Sequence, residues 1–196
     1  MHLRKGQLSI LLVNLISIII FSIIFANRKN YEFLIYIGVI IFFLVLILYT
    51  NKRVNYPNPV LWGLTTWSIL HMSGGGLFIQ GKKLYEWMIF NLVGAPYHIF
   101  KFDQFVHIIG FFAATLVMYH ILKPKLIKDH KWFSLSIVIV MAGFGLGALN
   151  EMVEFFATVI IPETGVGGYV NTSLDLVADL IGAILAMVYI YIKENK

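Results

Sequence analysis

Long apolar runs alternate with short polar stretches along the whole chain. Six runs, at residues 8–26, 33–49, 60–79, 105–122, 133–150 with up to a turn beyond, and 174–192, carry little or no charge. Each is close to the roughly 20 residues a helix needs to cross a hydrocarbon core. The pattern therefore predicts an all-α fold, a polytopic transmembrane helical bundle of six spans forming a single transmembrane domain over residues 1–196. Residues 8–50 read as two anchoring spans, and residues 58–193 as a four-helix core that carries the polar positions. The first run is too long for the apolar part of a secretory signal, and no small-residue pair precedes a cut near Ala26, so it reads as an anchor.

Composition narrows the class further. Of 196 residues, 59% are hydrophobic and 13% charged, about half the charged share of a soluble domain. With no cysteine, disulfides, iron–sulfur clusters and thiolate metal sites are excluded. The net charge of +5 comes from Lys and Arg in short connections, which positive-inside placement explains without nucleic acid. Arg4, Lys5, Lys52, Arg53, Lys123, Lys125, Lys128, Lys131, Lys193 and Lys196 fall on one side, against Arg28, Lys29, Lys82, Lys83 and Lys101 on the other. This bias predicts a multi-pass protein of the cell membrane with both termini cytoplasmic. Trp62, Trp132, Tyr189 and Tyr191 lie near span ends, where interfacial belts form.

Under this topology seven ionisable side chains fall in the outer third of the last four spans: His71, Asp103, His107, Glu151, Glu154, Asp175 and Asp179. The opposite halves read as apolar. A charged group at mid-span costs roughly 2.5–3.5 kcal/mol on insertion scales, so such residues face a protein interior or watery cavity and mark function. Asp103 and His107 are four apart, as are Asp175 and Asp179, and Glu151 and Glu154 are three apart. Each pair therefore shares one helix face. Asn171 extends the last stripe backward, and Gly182 and Ala186 extend it inward with small residues. Gly143 and Gly147 form a small-xxx-small pair before Glu151, whose ordinary meaning is close helix packing. Gly74, Gly75 and Gly76 follow His71 and are expected to loosen that helix end and free backbone carbonyls beside the site.

No Lys or Arg lies within the last four spans, and Lys101 is placed to neutralise one carboxylate at most. Either a cation is bound or several of the acids are protonated. An Asp, Glu and His set without sulfur suits Mg²⁺, Mn²⁺, Ca²⁺ or Zn²⁺ equally. The expected ligands of this divalent metal are Asp103, His107, Glu151, Asp175 and Asp179, with Glu154 and His71 as candidate catalytic acid/base or positioning groups. Two outer connections lie where they could cover such a site: residues 80–102, with an aromatic amphipathic stretch at 84–93 and a break at Pro96, and residues 162–172, with Pro162, Gly165, Gly167 and Gly168.

Three segments carry a family resemblance: His71-Met-Ser-Gly-Gly; Phe102-Asp103-Gln-Phe-Val-His107 with Gly110-Phe; and Asn150-Glu151-Met-Val-Glu154-Phe followed by Asp175-Leu-Val-Ala-Asp179-Leu-Ile-Gly182-Ala. Over residues 60–192 the chain resembles the YjdF-like bacterial membrane proteins, and more distantly the VanZ-like family, with the first two spans outside the match. The resemblance implies a location near envelope lipids and no defined chemistry. Relatives are expected to carry a basic residue after the Asp, where this chain has Gln104. The substitution removes a counter-charge for Asp103.

Three uses of the polar cluster follow. The first is a metal-dependent hydrolase or transferase acting on a lipid or lipid-linked substrate at the outer leaflet. The second is a proton- or cation-coupled transporter, disfavoured by the apolar opposite halves and the lack of an internal repeat. The third is a non-catalytic membrane protein in which the cluster is a structural knot, although five acids exceed what interhelical bonds of about 0.6–2 kcal/mol require. A serine nucleophile, a P-loop and a dinucleotide fold find no support, since Gly143-Phe-Gly145-Leu-Gly147 sits inside an apolar span with no strand before it.

Overall fold

The computed structural model describes residues 3–127, 131–161, 164 and 167–195. Lys128, Pro162, Gly165 and Lys196, used above for topology or loop character, lie outside the described residues. Among the described residues six long helices carry the fold: α1 (Gln7–Asn27), α2 (Tyr31–Val54), α3 (Asn58–Gly76), α4 (Phe102–Leu122), α5 (Trp132–Ile160) and α6 (Tyr169–Glu194). Five are long and apolar enough to cross a membrane. The exception, α3, has 19 residues, but Thr65, Thr66, Ser68, His71, Ser73 and four glycines dilute its apolar content. The protein is an all-α, multi-pass membrane protein in contact with lipid along the exposed apolar faces of α1, α2 and α5.

Local chemistry sets the helix ends. Asn30 caps α2 by accepting from the Phe33 N–H at 3.2 Å, and Asn55 closes it at a φ of 61°, a conformation Asn tolerates. Pro59 stands in the first turn of α3, where the missing N–H has no helical partner to lose. Two boundaries differ from the sequence expectation. The third span does not reach residue 79: Leu77 is extended, and β1 (Phe78–Ile79) turns through Gln80 and Gly81, both at positive φ, into β2 (Lys82–Lys83). A two-residue turn of that shape joins antiparallel strands. The fifth span runs on to Ile160, past the one turn beyond residue 150 that the sequence allows, so Glu151 and Glu154 lie inside α5 instead of closing it.

The 84–93 stretch is likewise not one amphipathic segment. A short 3₁₀ turn, Leu84–Glu86, precedes β3 (Met88–Val93), which pairs antiparallel with β4 (Ile99–Lys101), and β4 leads directly into α4. Nor do the three glycines loosen α3, which stays helical through Gly76. An added Cβ at Gly74 or Gly75 would run into the rings of Tyr85 and Phe33, so these glycines admit aromatic side chains against the helix. The Gly76 carbonyl accepts from Arg28 at 2.5 Å.

The described residues nearest the two ends of the chain lie at one end of the bundle. Arg4 donates to the Tyr56 carbonyl at 2.9 Å, Asn58 to the Lys5 carbonyl at 3.1 Å, and Lys123 pairs with Glu194 at 2.5 Å. The two hairpins, the start of α4 and the start of α2 share the other end, tied by Lys83 and Glu32 at 3.7 Å and by Phe102 N–H to Trp87 carbonyl at 2.8 Å. α1 is fastened to α3 by a buried bond from Asn14 to Thr65 at 2.7 Å.

Candidate metal centre

The packing of α4, α5 and α6 is set by glycines. A Cβ on Gly182 would strike the Ile108 carbonyl oxygen and come within 3.0 Å of the Phe112 nitrogen, so α6 touches the backbone of α4. Gly143 and Gly147 of α5 likewise meet the Thr115 and Asp179 side chains. The faces drawn together are those that carry the paired ionisable residues.

His107 is the hub. Its Nδ1 lies 2.8 Å from Asp179 Oδ1 and 3.9 Å from Glu151 Oε1, while Nε2 lies 3.8 Å from Asp103 Oδ1. Asp175 is held at both oxygens, Gln104 donating to Oδ1 at 3.0 Å and Asn171 to Oδ2. Gln104 also accepts from the Lys101 backbone N–H at 2.8 Å. The Gln that replaces the expected basic residue thus serves Asp175 with a neutral donor and brings no charge. Asn150 donates to Glu154 Oε1 at 2.9 Å. Glu154 also lines a cavity of about 350 Å³ with Phe155, Thr158, Ile161 and Thr172, between the end of α5 and the start of α6.

Donor atoms converge in three overlapping sets, each within 4.8 Å: Asp103, His107 and Asp175; His107, Glu151 and Asp179; and Glu151, Glu154 and Asp175. His107, Glu151, Glu154, Asp175 and Asp179 are buried, Asp179 completely. Among the described residues both Glu151 oxygens and Asp179 Oδ2 have no hydrogen-bond partner. Six of the seven residues singled out in the sequence therefore meet.

The seventh, His71, stands apart on α3. Its Nδ1 is 2.6 Å from the Tyr85 hydroxyl, and the rings of Phe33, Tyr36, Trp67 and Tyr85 surround it at 5.6–5.8 Å. Burial, and then the negative charge of Asp103 and Glu154, push the Tyr85 phenol well above its ordinary range. Tyr85 therefore stays protonated, and its hydroxyl shares one hydrogen bond with His71 Nδ1. Sequence reasoning missed Tyr85, the Glu32 that pairs with Lys83, and the amide partners Gln104 and Asn150 as hydrogen-bond donors or acceptors. Glu32 had a signal, being the only acidic residue before Glu86. The opposite half of α4 is not wholly apolar, since His120 lies in its last turn.

No curated protein and no solved structure matches the chain. A family profile described as "Predicted membrane protein (DUF2238)" matches residues 7–196, so the kinship extends over α1 and α2 as well as the last four helices. In keeping with the YjdF-like resemblance of its motifs, the chain belongs to this DUF2238 family of membrane proteins of unknown function.

Proposed function

We propose that the chain binds a divalent cation between α4, α5 and α6 and uses it in a hydrolase or transferase reaction on a lipid or lipid-linked substrate at the outer leaflet. One observation carries this reading: three overlapping donor sets, each within 4.8 Å and almost wholly buried, include three carboxylate oxygens with no hydrogen-bond partner among the described residues. Buried carboxylates without a counter-charge cost several kcal/mol each. Among the described residues the only basic side chain in those sets is His107.

The hydrogen bonds suggest a division of labour. Asp179 accepts from His107 Nδ1–H, a partnership that fixes the tautomer and turns the Nε2 lone pair toward Asp103 and Asp175. Asp103, His107 and Asp175 form the first ligand set, and Glu151, which shares a set with His107 and another with Asp175, adds a ligand from α5. An imidazole among carboxylates favours Mn²⁺ or Zn²⁺ over Mg²⁺ or Ca²⁺. A bound cation would supply polarisation of a phosphoryl or acyl oxygen. Glu154, beside the 350 Å³ cavity, is placed to take a proton from water or an acceptor hydroxyl. His71, held by Tyr85, positions the wall of the site. The excess of basic residues at the termini supports cytoplasmic termini, which puts the cluster under the outer surface.

Elemental analysis of protein purified without a metal-affinity tag tests the reading. About one equivalent of Mn or Zn per chain is expected, lost in Asp175→Asn and His107→Gln, with a lowered melting temperature on chelation. Wild-type protein without stoichiometric metal and unmoved by chelator would refute it.

A further inference from the structure

A second pocket lies at the opposite end of the bundle from the acidic cluster, between the start of α3 and the ends of α4 and α6. It has a volume of about 160 Å³ and is lined by Pro57, Pro59, Tyr119, His120, Lys123, Tyr189, Lys193 and Glu194 among others. Its floor is apolar, formed by Val60, Leu116 and Ile190. Its rim carries two ammonium groups. Lys123 lies 5.6 Å from the centre of the Tyr119 ring and 2.5 Å from Glu194, while Lys193 lies 5.6 Å from the centre of the Tyr189 ring and 3.5 Å from its hydroxyl. His120 spends one ring nitrogen on the Leu116 carbonyl at 2.7 Å. Arg4, tied to the Tyr56 carbonyl at 2.9 Å, and Asn58, tied to the Lys5 carbonyl, bring further basic residues to this end.

From this arrangement we infer that the pocket is a binding site for the phosphodiester head group of an anionic membrane phospholipid. The depth argues for a lipid: the pocket opens where α4 and α6 end, at the level of Trp132 and Tyr191, whose rings meet edge to face at 5.3 Å as interfacial aromatics do. The charge argues for an anion, because basic pockets between transmembrane helices on the side rich in Lys and Arg select acidic head groups. Lys193, exposed and bonded weakly to its own helix, is free to turn onto a phosphate. Glu194 is the competitor. Its carboxylate already sits on Lys123, and a phosphodiester entering the pocket takes that ammonium from it. The site is independent of the proposed metal centre.

Native mass spectrometry of the full chain in detergent, titrated with phosphatidylglycerol or phosphatidylcholine, tests the inference. Phosphatidylglycerol is expected to be retained preferentially, with binding that weakens as salt rises. Lys193→Gln should weaken it about five-fold, the share of one basic residue near an anionic surface. Glu194→Gln should strengthen it, an effect that a merely structural Lys123–Glu194 bridge does not produce. Lys82→Gln, in the hairpin at the far end, should leave it unchanged. Equal retention of the two lipids, no loss in Lys193→Gln, or an equal loss in Lys82→Gln would overturn the assignment. So would weaker binding in Glu194→Gln when its melting temperature matches wild type.

Discussion

Replacing Gly147 by alanine probes the geometry on which the candidate metal centre depends. The new Cβ would stand 2.8 Å from Asp179 Cβ and 2.7 Å from Cγ. Because the clash includes Asp179 Cβ, no rotation of that side chain clears it. α5 and α6 are pushed apart, and the Asp179 carboxylate is drawn off His107, which it now meets at 2.8 Å. Overpacking costs about 1–3 kcal/mol, and loss of a hydrogen bond to a charged group about 1.5–3 kcal/mol, so the substitution should destabilise by about 2.5–6 kcal/mol. Gly145 on the same helix is the control. Nothing lies within 4 Å of a Cβ there, and alanine should be neutral or gain up to about 1 kcal/mol of helix propensity. Thermal unfolding in detergent, read beside metal content, is the assay. Asp179→Ala already forfeits the bond to His107, so the double variant should cost about 1.5–3 kcal/mol less than the sum of the singles. Strict additivity, or a Gly147→Ala protein as stable and as metal-loaded as Gly145→Ala, would refute the reasoning.

Gly182→Ala should be worse tolerated than most small-to-large changes, near the top of the roughly 1–3 kcal/mol overpacking range, because the Cβ would meet the Ile108 carbonyl and the Phe112 nitrogen, backbone atoms that cannot turn aside; its melting curve measures this. Tyr85→Phe removes the 2.6 Å bond to His71 and leaves a half-buried ring nitrogen unsatisfied, for a loss of about 1–3 kcal/mol. Its metal content should match wild type, since His71 lies outside all three donor sets. Gln104→Lys brings an ammonium to Asp175, whose Oδ1 now accepts from the amide at 3.0 Å. The expected outcome is a folded protein that melts no lower than wild type yet retains less metal.

How much of this was legible in the sequence varied with the range of the forces involved. The apolar runs that gave α1, α2 and α4–α6 are a one-dimensional signal, because lipid demands about 20 apolar residues wherever a helix crosses. Residues 76–101 obey a different logic. Gln80-Gly81 is a turn signal only two residues long, and the β3–β4 pairing joins residues whose alternation is broken by an irregular register. The cluster was readable because carboxylates inside spans have few bland explanations and because their three- and four-residue spacing fixes a helix face. Its partners were not. Gln104, Asn150 and Tyr85 are ordinary residues whose roles exist only through neighbours such as Asp175, 71 residues along the chain from Gln104. The end of α5 differs from the sequence expectation for a physical reason: Glu151 and Glu154 look like an interface in sequence, yet both are buried inside the bundle.

The choice of acid on each helix follows the distance that it has to cover. At Gly182, α6 rests against the backbone of α4, and the carboxylates there are aspartates, Asp175 and Asp179 on α6 with Asp103 on α4. Gly143 and Gly147 of α5 meet side chains, Thr115 and Asp179, rather than backbone, and the acids of α5 are glutamates, one methylene longer. Length thus compensates for separation, so that atoms from three helices arrive within 4.8 Å of one another. If that matching holds the centre together, exchanging the acids should fail in opposite ways. Asp179→Glu inserts a methylene where Asp179 is fully buried against Gly147, so it should lower the melting temperature by overpacking. Glu151→Asp withdraws both oxygens from His107 and Asp179 without a clash, so the protein should stay folded and lose metal. Two variants equally stable and equally metal-loaded would show that the carboxylates do not converge on a shared ion.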